Sequence, residues 1–276
     1  MRNFLLFIGI LALTACNTSK DGDSVKKSLH DEVVTSDEVK PEFKASRMVY
    51  RVPTPIEFFR FYQDGGGRYN AALLMPVNSV ARYISSKEKA VAFGLFASDL
   101  AFCAVFGENQ QTISLFETTK QIADELGLTA GYGESLMKRF KNNLDNVDSL
   151  YHLSTESYWK VFSFLEEQNK TRLLSYITVA GWIESLYLAV NAQATEKNDN
   201  LKGCIADQQY VVENLVSYLT SVHGDEASSD DVFQLIFELN DVYSRLYENP
   251  EDVIITEEQF TELQNVITTQ RALLVK

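Results

Sequence analysis

Histidine and cysteine are both scarce in this chain, three of each in 276 residues. No histidine stands at metal-ligand spacing from another histidine or from a cysteine, and HExxH, CxxC and Gly-x-Ser-x-Gly are all absent. Those gaps remove the common zinc and hydrolase signatures, so no metal and no cofactor is expected. Cys103 sits in an apolar run, where a thiol packs rather than reacts. Whether Cys103 and Cys204 pair is open, because spacing along the chain does not bring two Cα atoms together. Basic residues are also short: 25 Lys and Arg face 38 Asp and Glu, a formal charge of −13. Phosphate backbones would be repelled, which excludes a nucleic-acid partner. Proline (5) and glycine (13) are too few for a turn-rich β fold and suit helices. The Gly65-Gly66-Gly67 triplet follows a predicted helix and has no Lys-Ser/Thr in register, so it reads as a turn and not a phosphate loop.

What the chain does have begins at its N-terminus. Arg2 precedes a short apolar run from Phe4 to Leu13, which reads as a secretion signal over residues 1–15. It closes on Leu13-Thr14-Ala15-Cys16, which resembles a bacterial lipobox. The resemblance implies that Cys16 is lipidated and becomes the N-terminal residue, with acyl chains anchoring the protein. Asn17, where Asp would mark inner-membrane retention, fits outer-membrane delivery. Lys20-Asp21-Gly22-Asp23 loosely resembles the Lys-plus-acidic surface-export tags of Bacteroidota lipoproteins. Residues 16–46 are polar and charged and are expected to be a disordered tether.

From residue 47 to 276 the pattern is helical. Thr54, Pro55 and Glu57 announce a capped helix start. Further helices are expected over 87–106, 110–126 (capped by Asn109), 134–144, 149–168 (capped by Asp148), 201–222, 232–247 and 257–274. No strand pattern appears. Residues 116–128 resemble the second helix of a tetratricopeptide repeat, yet no neighbouring stretch repeats it at about 34 residues. The expected fold is therefore all-α: a multi-helix bundle of antiparallel helical hairpins, with repeat-like or solenoid stacking left open. The polar 195–200 stretch is the best place for any internal boundary.

Residues 173–194 are apolar nearly all round, as in a membrane span or the centre of a core. Glu184 in the middle favours the core, since a charge is costly in hydrocarbon. A strip of small residues (Thr178, Gly181, Ser185, Ala189, Ala192) would let a neighbouring backbone come close. Asp99 repeats the oddity of Glu184 within the apolar 87–106 helix. The two acids are the candidate buried polar site, with Arg82, Lys89, Arg139, Arg172 or backbone N–H groups as partners. A structural ion pair is the plainer reading; a ligand-binding or catalytic carboxylate pair is the sharper one.

The lipobox, Tyr50-Arg51-Val52-Pro53-Thr54-Pro55, the Tyr69-Asn70, Leu73-Leu74, Pro76-Val77 run and Gly181-Trp182-Ile183-Glu184-Ser185-Leu186-Tyr187 together resemble a group of uncharacterised all-helical outer-membrane lipoproteins of Bacteroidota. The resemblance implies localisation and helicity and carries no activity. The sequence reading is thus a helical envelope protein held at the outer membrane through Cys16, on the periplasmic face or the cell surface. It favours a non-enzymatic binding or scaffold role with a protein partner or envelope component. The alternative is a small-ligand- or glycan-binding or processing domain using Asp99 and Glu184.

Overall fold

The computed structural model describes residues 52–128, 133–192 and 198–276. The signal segment, Cys16 and the tether through residue 46 lie outside the described residues, as do residues 195–197 of the 195–200 stretch. Ten α-helices are present among the described residues and no strand. They are α1 (Pro55–Asp64), α2 (Ser86–Val105), α3 (Asn109–Leu126), α4 (Glu134–Lys141), α5 (Val147–Glu167), α6 (Thr171–Val190), α7 (Asp199–Ala206), α8 (Gln209–His223), α9 (Asp231–Ser244) and α10 (Glu257–Leu274). Short 3₁₀ turns at Ala71–Leu73 and Val77–Arg82 connect α1 to α2.

Local chemistry sets the helix ends. Thr54 and Glu57 form a reciprocal capping box with Pro55 at the first position of α1. Ser85 and Glu88 do the same for α2, and Thr256 and Gln259 for α10. Gly127 ends α3 in the left-handed region (φ 73°), which costs glycine no Cβ clash. Three expectations are corrected. Asn109 does not cap α3: Glu108 holds that position, and the Asn109 amide donates to Asp145 at 2.9 Å. Asp148 does not cap α5 either. Asn146 accepts from the Ser149 N–H, while Asp148 pairs with Arg60 on α1. The 201–222 helix is two helices, α7 and α8. Gln208 sits at their junction and donates from its side chain to the Cys204 carbonyl.

The core is built on α2 and α6. Both are buried along nearly their whole length, which is why neither shows a polar face in sequence. Their contacts advance together, Gly94 with Ile177 and Gly181, Ser98 with Gly181 and Ser185, so the two helices run in the same direction. They touch backbone to backbone. A Cβ on Gly94 would lie 2.4 Å from the Ile177 carbonyl oxygen, and one on Gly181 3.3 Å from the Gly94 oxygen. The Ser98 hydroxyl closes the contact by donating to the Gly181 carbonyl at 2.7 Å. The strip of small residues thus does what its spacing suggested. Helix α6 is long and apolar enough to cross a membrane, and 89% of that apolar stretch is covered by the rest of the protein. Around this pair, α3 forms a hairpin with α2, tied by Lys89 and Glu125. Helix α10 lies antiparallel to α6, joined by Glu184–Arg271, Asn191–Thr268 and the Gln264 amide on the Val190 carbonyl.

Candidate functional site

Asp99 and Glu184 both have no solvent exposure, and the α2–α6 packing brings them together. Glu184 is held by Arg271 of α10. The guanidinium Nε donates to Oε2 at 3.0 Å and Nη2 to Oε1 at 3.1 Å, the two-pronged geometry that suits a carboxylate. The ring of Tyr187 covers the guanidinium at 4.5 Å, screening the pair from water. Asp99 has no such cation. Its Oδ2 accepts the Met75 backbone N–H at 2.8 Å, and its Oδ1 meets no donor.

Burial raises the pKa of both carboxyls, and the charge of Glu184 raises that of Asp99 further. The guanidinium of Arg271 opposes the rise at Glu184. Asp99 is accordingly pushed well above the ordinary carboxylate range, and of the two acids it is the one that favours the proton, because Arg271 faces Glu184. A protonated Asp99 turns its bare oxygen into a donor aimed at Glu184, and the chain Met75 N–H, Asp99, Glu184, Arg271 is complete. It ties α2, α6, α10 and the turn before Pro76 together.

None of the four basic side chains expected beside these acids reaches them. Arg82 donates to the Lys276 carbonyl, Lys89 pairs with Glu125, Arg139 with Glu156, and Arg172 with Glu226 and Asp230. The backbone N–H alternative holds for Asp99. Arg271 gave no sign in sequence, because it lies 87 residues from Glu184 on a helix of mixed polarity.

A second polar hub was also missed. Asp230 caps α9 through the Val232 and Phe233 N–H groups and accepts from Tyr176 Oη at 2.6 Å, Arg172 and Lys87. Burial pushes its pKa up, but these donors outweigh it and hold the carboxyl low. Beside it, Ser175 Oγ lies 2.8 Å from His223 Nε2, with the imidazole stacked on Phe233. This Ser–His pair lines neither of the two cavities described next. Cys103 and Cys204 are both free. No group of three His, Cys, Asp or Glu side chains converges among the described residues.

Those cavities avoid the acids too. One, of about 70 Å³, lies among α1, α2, α5 and α6, with Phe93, Phe116, Phe162, Leu174 and Ile177 in its walls. No charged side chain lines it. An open cleft of about 660 Å³ runs between α1 and α5, past Arg60, Phe61, Asp148, His152 and Trp159. The two spaces share Val52 and Pro53 as a common wall. The chain matches no protein-family model, no curated protein and no solved structure.

Proposed function

We propose that this chain is a lipid-anchored helical protein of the bacterial outer membrane, non-enzymatic, that binds a protein partner or envelope component. One observation carries the non-enzymatic part. The two buried acids are closed onto each other, Arg271 and a backbone N–H, away from every described cavity, so they serve packing. The acid-based ligand or glycan reading loses its support for the same reason. The anchor rests on Leu13-Thr14-Ala15-Cys16 alone. For the partner, the α1–α5 cleft is the surface with the right make-up: Phe61 is 67% exposed at its edge, beside aromatic Trp159 and the Arg60–Asp148 ion pair. Aromatic residues ringed by polar ones are the usual composition of a recognition surface.

Two measurements test the reading. In envelope fractions, the wild-type chain should float with the outer membrane and Cys16→Ser should not; co-flotation of the variant sinks the anchor. A photo-crosslinking amino acid at Phe61 should yield a discrete adduct in intact cells that one at Glu258 does not. Identical patterns at both sites would remove the cleft from consideration.

A further inference from the structure

The cavity between α1, α2, α5 and α6 carries a feature that packing alone does not explain. Three residues of its walls carry a buried polar atom with no partner: Ser154 Oγ, Ser157 Oγ and Trp182 Nε1. Ser157 is 4% and Trp182 5% exposed. The other hydroxyls in the wall are engaged: Thr54 with Glu57, Tyr158 with Thr178, Thr178 on the Leu174 carbonyl and Ser185 on the Gly181 carbonyl. Buried polar groups are nearly always paired, and three such residues around one apolar cavity mark a place where something polar belongs. At about 70 Å³ the cavity is several times the roughly 10–15 Å³ that one water needs.

We propose that this cavity is a binding site for an uncharged aliphatic molecule bearing one oxygen, of the fatty-alcohol class. Each part follows from the lining. The phenyl and aliphatic walls take a hydrocarbon chain. The indole N–H only donates, so the ligand brings an acceptor oxygen, and the two serine hydroxyls accept or donate to it. With no cation in the wall, a carboxylate would be buried unpaired, so the oxygen is neutral. The shared wall at Val52 and Pro53 places the charged cleft beside the cavity, so the polar end of a longer amphiphile has a place to lie. The site uses neither Asp99 nor Glu184 and does not depend on the anchor.

The test uses the full chain carrying Cys16→Ser, so that no acyl group of its own competes, titrated calorimetrically with 1-octanol, n-octane and octanoate. Octanol should bind saturably, one per chain, and about tenfold more tightly than octane, the difference of one satisfied hydrogen bond. Octanoate should bind more weakly than octanol. Ser157→Leu, which fills the space, should abolish octanol binding while melting with the parent; Ala97→Leu serves if that variant does not fold. Trp182→Phe should bring octanol down to the affinity of octane. Absence of saturable octanol binding overturns the site, as does undiminished binding in a folded cavity-filled variant. Octane binding as tightly as octanol overturns the role of the oxygen.

Discussion

The α2–α6 pair meets polar groups in two places, and they are handled in opposite ways. Toward α10, two carboxyls that should be intolerable in an apolar core are met by Arg271 and the Met75 N–H, and burial beside Glu184 pushes Asp99 toward its neutral form. Toward α1 and α5, three milder groups, two hydroxyls and an indole N–H, have no partner, on residues that line one cavity. On α2 the two regions are separated by helix geometry: Asp99 lies about 160° round the helix from Ala97 and Ala101, which line the cavity. A charge must be neutralised for the chain to fold at all, whereas a hydroxyl can be left waiting for about 1–3 kcal/mol. The costlier groups are therefore structural, and the cheaper ones are where a ligand has been left room.

The largest effect should come from the contact that holds both regions in place. Gly94→Val puts side-chain atoms into the Ile177 backbone and should cost about 3–5 kcal/mol, or prevent folding. Gly181→Ala, at 3.3 Å from its neighbour and with better helix propensity, should stay within about 1 kcal/mol of wild type. Denaturant unfolding of the two variants would compare them; equal losses would mean the backbones are not in contact at Gly94.

Next is Glu184→Gln, which strands the Arg271 guanidinium in a largely buried position and should cost about 3 kcal/mol. A variant that melts with wild type would show that the pair is not closed.

On the cavity side the sign should reverse. Ser157→Ala removes an unpartnered hydroxyl and should leave stability unchanged or raise it by up to about 1 kcal/mol. A loss above that range would reveal a partner for Ser157 and erase the contrast between the regions.

Asp99→Asn is the smallest change and the most diagnostic. The amide reproduces the protonated acid, accepting from Met75 and donating to Glu184. Because the folded pKa of Asp99 is raised, its contribution is fully present below the ordinary carboxylate range near 3.9 and is lost as pH rises toward the folded value. The asparagine variant should equal or exceed wild type in melting temperature at neutral pH. The difference between the two curves should shrink as pH falls toward 4. A variant destabilised at neutral pH would place the proton elsewhere.

Much of the fold was legible because it is local chemistry. Thr54-Pro55-Ile56-Glu57 specifies a helix start wherever it occurs, Gly127 specifies a stop, and an apolar helix with one carboxylate belongs in a core. Glu108 and Asn146 were missed as caps because their neighbours Asn109 and Asp148 look better for the role, and only tertiary bonds to Asp145 and Arg60 show those two to be occupied. The oddity of Asp99 and Glu184 was visible, since a charge among leucines and phenylalanines is out of place by itself. Their partner was not, because nothing in α10 distinguishes Arg271 from a solvated surface charge.

The sequence by itself determined that this chain is helical, where most helices begin and end, and that two carboxyls and a strip of small residues lie inside. These follow from periodicity, capping and the cost of exposing apolar surface, all readable within one helix. Tertiary structure alone decided which cation meets Glu184, that the pKa of Asp99 is raised, and that Ser154, Ser157 and Trp182 border one space. Those are relations between helices up to 87 residues apart, and a pKa or a cavity exists only once all its walls are in place.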